Sequence, residues 1–292
     1  MEIEVIDRYI PVIASEGTIS AAARKLGLSQ PAVSLALTQL EKKLGFSIFD
    51  RQSSPLKPTA AGRIYISYLN KQAMLIDDCF REISELNGST AAELKLGASA
   101  IYTEALLLPS MISFRSIHKQ SRFKMITAHQ SELAEKTLKG ELDGFISTSN
   151  DLPAPLKTEF IKNEKLFFCS ISDKGDNNGR FGLTDESELI FMEDDQPLQK
   201  AIKAFLKEHG INCKNYITVN QVSSSLRLME AGQGTALLSE DACSMIRDKE
   251  HAFIKQLPDR YSSRNLYFAY NADRYLSEPL KEFIETLKNK GE

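Results

Sequence analysis

Gly27, with only Leu28 between it and Ser29, forces a tight turn between two short helical stretches, and that turn limits what the chain can fold into. Upstream, Ile3, Ile6, Tyr9, Ile10 and Ile13 recur at helical spacing until Gly17 stops them. Thr18 is a good N-cap for a helix over Ile19 to Leu26. Ser29 caps a third helix, whose first turn tolerates Pro31 because amides there have no intrahelical partner. That helix ends near Gly45. Two helices joined this way form a helix-turn-helix, with Ala22 and Ala32 small where the pair must cross.

The third helix has two faces. Val33, Leu37, Leu40 and Leu44 form an inner stripe, while Gln30, Ser34, Leu35 and Thr38 share a different, small and mostly polar face. Short hydroxyls and an amide suit a helix lying in a DNA major groove; a solvated face reads the same way from these residues alone. The segment from Phe49-Asp50-Arg51 to Lys57-Pro58-Thr59 reads as a strand, a turn and a strand, a wing with cations at its base. Between Thr18 and Arg63 the cations Arg24, Lys25, Lys42, Lys43, Arg51, Lys57 and Arg63 outnumber Glu41 and Asp50, although the whole chain carries a net charge of −3. The local patch is basic.

Tyr65, Leu69, Gln72, Ile76, Cys79, Ile83 and Leu86 alternate steps of four and three, a coiled-coil seam with one polar position, before Asn87-Gly88-Ser89. Packing of this helix on its own domain is the other reading. A two-fold pair of helix-turn-helix units favours the dimer.

Beyond Ala92 the texture becomes strand, helix, strand. Strands are expected at Leu94 to Ser99, Phe123 to Thr127, Gly144 to Ser147, Leu166 to Ile171, Leu189 to Met192, Tyr216 to Val219, Thr235 to Leu238 and Asn265 to Tyr270. Helices fall at Glu104 to Ile117, Leu133 to Leu138, Pro197 to His209, Ser224 to Ala231 and Leu276 to Asn289. Such alternation implies mainly parallel sheets in two α/β lobes, with a cleft at the carboxyl ends of the strands. Gly232 and Gly234 read as a turn, not a nucleotide loop.

At 292 residues the chain needs no disulfide or metal to build its cores. No apolar run approaches the roughly 20 residues of a membrane span, and the acidic start does not suit a secretory signal, so a cytoplasmic location is expected. The four cysteines and four histidines are scattered without metal-ligand spacing. There is no nucleophile elbow, phosphate loop or zincin motif. No catalytic residue, metal or cofactor is expected.

Thr18-Ile-Ser-Ala-Ala-Ala-Arg-Lys-Leu26, Ser29-Gln-Pro-Ala-Val-Ser34, Leu40-Glu-Lys-Lys-Leu-Gly45, Phe49-Asp-Arg51 and Pro58-Thr-Ala-Ala-Gly62 together resemble the LysR-type transcriptional regulators. Leu96-Gly-Ala-Ser99 with Leu108-Pro109, Leu138-Lys-Gly-Glu-Leu-Asp143 and Ala231-Gly-Gln-Gly234 with Leu237-Leu-Ser239 extend the resemblance through the second half. It implies an α/β protein with an N-terminal all-α winged helix-turn-helix. The effector domain would have two Rossmann-like lobes resembling type 2 periplasmic binding proteins. The expected boundaries are 1–60 for DNA binding, 61–90 for the linker helix and 91–292 for effector binding. Lobe I would take about 91–162 and 266–292, and lobe II about 163–265.

DNA contacts are implied at Thr18, Ser20, Ser29, Gln30, Pro31, Ala32, Ser34, Leu35 and Thr38, and in the wing at Arg51, Ser53, Lys57 and Thr59. Leu35 stands where many relatives carry a basic residue, and it suits a thymine methyl group. Effector contacts are implied at Ser99, Ala100, Thr103, Thr127, His129, Gln130 and Ser147, facing Glu193, Gln196, Asn220 and Ser223. Converging hydroxyls and amides suit an anion. The acids Glu193, Asp194 and Asp195 either support a helix dipole or, with Glu193 in the cleft, select a cationic, neutral or zwitterionic ligand. The implied partners are double-stranded promoter DNA, the chain itself as homodimer to homotetramer, a small-molecule effector, and RNA polymerase if the protein activates. The alternative is control by cysteine oxidation, with Cys213 in the region where some relatives carry a sensing pair and Cys243 following after a helix and a strand.

Overall fold

Caps and glycines delimit the first three helices, α1 (Tyr9–Glu16), α2 (Ile19–Leu26) and α3 (Gln30–Leu44). Gly17 and Gly27 both take left-handed conformations (φ 66° and 67°) that only glycine adopts without strain. Thr18 Oγ1 accepts from the Ala21 amide at 3.2 Å, and Ser29 Oγ from the Ala32 amide at 3.4 Å. The computed structural model describes residues 7–87, 93–171, 181–192, 196–262 and 264–291, so Ile3 and Ile6 lie outside the described residues. Ile10, Ile13, Ala22, Val33, Leu37 and Leu40 form one core with Ile48 and Phe49.

The wing is a two-stranded ribbon, β1 (Phe49–Asp50) against β2 (Lys57–Pro58), antiparallel with Phe49 opposite Pro58. Thr59 then starts the long helix α4 (Ala60–Leu86): its hydroxyl donates to Ser47 O at 2.7 Å and accepts from the Gly62 amide at 2.9 Å. A Cβ on Gly62 would lie 1.9 Å from Ile48 O, so the helix runs flush against the backbone entering the wing.

The expected seam on α4 is corrected at its start. Tyr65 and Leu69 pack against the helix-turn-helix core, and the Tyr65 hydroxyl donates to Asp7 at 2.6 Å. Further along, two adjacent stripes stay exposed: Ile64, Tyr68 and Leu75 on one, Ile76, Phe80 and Ile83 on the other. Ile64, Tyr68, Leu75 and Phe80 were not in the expected repeat.

Residues 1–84 and 85–292 form separate compact units. Among its described residues the second contains two five-stranded sheets. In lobe I, β3 (Glu93–Ala98) lies parallel to β4 (Arg122–Thr127) and β5 (Gly144–Ser147). Lobe I helices are α5 (Ala100–Tyr102), a π-helical turn over Thr103–Leu107, α6 (Leu108–Ile117) and α7 (Gln130–Leu138). The strand β6 (Leu156–Glu164) leads across Lys165 into β7 (Leu166–Ser170) of lobe II. Lobe II continues with β8 (Glu188–Met192), α8 (Gln196–Glu208), β9 (Asn215–Val219), α9 (Val222–Glu230) and β10 (Thr235–Ser239). After α10 (Glu240–Ser244), β11 (Phe253–Gln256) and α11 (Asp259–Ser262), β12 (Arg264–Asn271) returns to lobe I, where α12 (Glu278–Gly291) packs.

The sheet orders are β4-β3-β5-β12-β6 and β11-β7-β10-β8-β9. The central strands are parallel, while β12 and β6, like β7 and β11, run antiparallel. This is the two-lobed α/β architecture expected. No helix among the described residues is long and apolar enough to cross a membrane.

Candidate nucleic-acid interface and interlobe cavity

α3 presents Gln30, Pro31, Ala32, Leu35 and Thr38 to solvent, with Ser34 half-buried beside them. Several hydroxyls expected to meet DNA are already engaged in the fold. Thr18 and Ser29 cap helices, and Ser20 Oγ donates to Gln30 Oε1 at 2.9 Å. Ser53 accepts from the Lys57 amide at 2.9 Å and donates to Asp50 O at 2.8 Å, closing the wing turn. Thr59 holds the start of α4.

Glu41 organises the junction between α3 and the wing, a role the sequence reading did not give it. It is buried, and its Oε1 accepts from the amides of Ile48 (2.7 Å) and Phe49 (3.2 Å). Its Oε2 takes Arg51 Nη2 at 2.8 Å, and the same nitrogen donates to Thr38 Oγ1 at 3.0 Å. Thr38 in turn donates to Ser34 O at 2.9 Å. Arg51, expected to meet phosphate, is therefore first a tie between wing and helix, with its side chain still half exposed. Lys57 is exposed on the wing beside it.

In lobe I the structure brings most of the expected effector contacts together at the carboxyl ends of β3, β4 and β5. Thr103 Oγ1 donates to Ser99 O at 3.1 Å and lies 3.1 Å from Thr127 Oγ1. Gln130 Oε1 accepts from Thr148 N and Oγ1 at 3.2 and 3.3 Å, and buried Ser147 donates to Ser149 O at 2.7 Å. Ala100 and His129 are exposed near this rim. In lobe II, Asn220 and Ser223 are exposed at the junction of β9 and α9, and Gln196 begins α8. Glu193, with Asp194 and Asp195, lies outside the described residues.

A cavity of about 220 Å³ between the lobes is lined by other side chains, none of them among the expected effector contacts. Thr148, Ser149 and Asn150 line it from lobe I, Leu166, Ala201 and Tyr261 from lobe II, and Arg264, Asn265 and Tyr267 from the returning strand β12. Asn163 Nδ2 donates to Asn265 Oδ1 (2.9 Å), and Asn265 Nδ2 donates to the Tyr267 hydroxyl (3.1 Å), leaving that hydroxyl its own proton to give. Behind the cavity, Arg264 Nε and Nη2 meet Glu164 Oε2 at 3.0 and 2.9 Å. The Tyr102 hydroxyl donates to the same oxygen at 2.7 Å and accepts from Arg264 Nη2. Glu164 and Arg264 face each other across β6 and β12, where the chain passes between lobes. Lys162 on β6 adds a second brace, 2.9 Å from Asp241 on α10.

The model described as the bacterial regulatory helix-turn-helix protein, lysR family, matches residues 8–63, and that of the LysR substrate binding domain matches residues 87–292. The chain belongs to the LysR family. It is a LysR-type transcriptional regulator, with a DNA-binding helix-turn-helix followed by the family's two-lobed domain. Its curated relatives include the HTH-type transcriptional regulator YofA of Bacillus subtilis, 22% identical over 283 residues, with 96% of each chain covered. Full-length CbnR bound to its target DNA matches at a TM-score of 0.66 with 18% identity, covering 99% of this chain and 100% of that one. LysG of Corynebacterium glutamicum, solved with bound effector Arg, matches at 0.63 with 15% identity over 100% and 98% of the two chains. These two likenesses concern the fold.

The regulator's cysteines are arranged differently from the expectation. Cys213 donates to Ser187 O at 2.6 Å, whereas Cys243 lies 3.4 Å, sulfur to sulfur, from Cys169 on β7. Cys169 and Cys243 are both buried. The thiol–thiol contact, then burial, push the Cys169 thiol well above its ordinary pKa.

Because Glu41 holds two buried amides and Arg51 at once, Glu41→Ala is expected to destabilise the regulator by about 2–3 kcal/mol. Lys57→Ala should leave the denaturation midpoint in place, weaken binding to every DNA sequence, and flatten the salt dependence by about one unit of slope. Chemical denaturation with gel-shift titration at several salt concentrations checks both. An unchanged midpoint for Glu41→Ala would remove its structural role.

Proposed function

We propose that this regulator's hold on DNA is set by a small polar molecule bound in the cavity between its lobes, with no catalytic step and no cofactor. The observation carrying the reading is the cavity itself: both lobes and the returning strand contribute to one 220 Å³ space. That is room for roughly seven waters or a compact metabolite. Hydroxyls and amides from Thr148, Ser149, Asn150 and Tyr267 supply orientation, and Leu166 and Ala201 supply an apolar wall. Ser99, Thr103, Thr127 and Gln130 form the adjoining rim, with Gln130 fixing Thr148. A ligand touching both lobes favours one relative orientation, by as much as its affinities for the two orientations differ. Base contacts fall to the exposed face of α3 and phosphate contacts to Lys57 and its neighbours. The protein works in the cytoplasm, and as an activator it would also meet RNA polymerase.

A thermal-shift screen of small polar metabolites tests the cavity, since a ligand that binds only the folded state raises the melting temperature. Tyr267→Phe should weaken the ligand found by about 2–12-fold, the worth of one hydrogen bond. Effector-free DNA binding should be unchanged. Calorimetry showing full affinity in Tyr267→Phe and in Asn150→Ala would place the site elsewhere.

Assembly follows from α4, whose exposed apolar stripes pair two chains, while a second contact between effector domains gives a homotetramer. Phe80→Asp with Ile83→Asp would bury unpaired charge in that seam. Sedimentation should show the assembly halved in mass, and an unchanged mass rules the seam out.

The Cys169–Cys243 contact favours a second reading, control by oxidation through this pair instead of Cys213. One thiol would reduce a peroxide to water and become a sulfenic acid. The other would then displace its hydroxyl as water, so two thiols and one peroxide give a disulfide and two waters. Their burial makes this reaction slow. Peroxide treatment followed by thiol counting and peptide mapping should reveal a 169–243 crosslink that is lost in Cys243→Ser. Oxidation confined to Cys79 and Cys213 would exclude it.

A further inference from the structure

We infer that Leu35 reads the C5-methyl group of a thymine in the operator, so that the centre of the recognition face works by apolar contact. The inference rests on the assignment of α3 as the DNA-reading helix. Leu35 is 60% exposed and lies on the side of α3 directly opposite the buried stripe of Val33, Leu37 and Leu40. Pro31 and Ala32, one turn earlier, are exposed beside it, and Leu28, just before the helix, is 38% exposed. None of these four belongs to the domain's core.

Several of the polar neighbours take part in bonds within the domain. Ser29 caps the helix, Gln30 Oε1 is taken by Ser20, and the Thr38 hydroxyl donates to Ser34 O while accepting from Arg51. Beside the Gln30 amide nitrogen and the half-buried Ser34, the centre of the face is hydrocarbon, and the same unit carries Arg24 at the end of α2, Lys42 and Lys43 at the end of α3, and Lys57 on the wing. An apolar patch with a cationic border suits a polyanion that carries an apolar group at its recognised edge. In the major groove that group is the thymine methyl. Leu35 packs no core, so its removal leaves the fold intact and the test readable.

The test uses the full-length protein. Sites are first enriched from a randomised duplex library, and each dT of the enriched half-site is then replaced singly by dU, which deletes only the methyl. For the unaltered protein, one or two of these replacements should weaken binding about fourfold, the effect of losing one buried methyl-sized group. The remaining dT positions should be indifferent. In Leu35→Ala the sensitive positions should become indifferent too, and the loss of binding should be smaller on random DNA than on the enriched site. Enrichment with every dU replacement neutral overturns the Leu35 inference and leaves the DNA-reading assignment standing. The same follows if Leu35→Ala shows losses equal to the unaltered protein's. Failure to enrich any sequence overturns both.

Discussion

The effector domain depends on an ion pair placed where the chain crosses between lobes. Glu164 is fully buried and Arg264 nearly so, and each sits on one of the paired strands that carry the chain across. A buried carboxylate left alone would be strongly destabilising, on the order of 3–5 kcal/mol when its partner is removed. Arg264 meets Glu164 with two nitrogens, and Tyr102 brings a hydroxyl from lobe I to the same oxygen. Because these groups stay together, they fix where β6 and β12 pass between the lobes, and the contact of Lys162 with Asp241 braces β6 against α10.

A comparable economy governs the DNA-binding unit. Short polar side chains near a helix-turn-helix look like base contacts, but caps and turns need the same residue types. Thr18, Ser29, Ser53 and Thr59 each satisfy backbone groups that would otherwise be unpaired. Glu41, an acid in a basic patch, is tolerated because two amides and a guanidinium surround it. In the proposed reading, specific and non-specific binding divide between different surfaces, the exposed face of α3 for bases and the wing and helix-end cations for phosphates.

What was legible in the sequence was local. Gly17 and Gly27 announce turns, Thr18 and Ser29 announce caps, and the strand–helix alternation announces two α/β lobes. Those signals lie within a few residues of the structure they cause. β6 escaped because Leu156 to Glu164 alternates weakly and carries several charges, as an edge strand does. The apolar repeat on α4 was visible but not its division of labour, since Tyr65 and Leu69 face a core assembled from the preceding sixty residues. The cavity was illegible for a stronger reason. Asn163 and Asn265, like Glu164 and Arg264, become neighbours only when β12 returns beside β6, and no spacing rule connects residues about a hundred positions apart.

In the proposed reading, that return lets one small cavity govern the whole domain. Leu166 follows the first crossing and Arg264 begins the second, so a ligand in the cavity lies against both. A ligand seated on a single lobe would bind equally well in every lobe orientation and shift nothing, however tight its binding. One that reaches Thr148 on lobe I, Ala201 on α8 and Tyr267 on the returning strand would lose contacts in any other lobe orientation. A difference of 1–3 kcal/mol between orientations, about 5- to 150-fold in population, is the usual size of such coupling. Two or three hydrogen bonds made in only one orientation supply it.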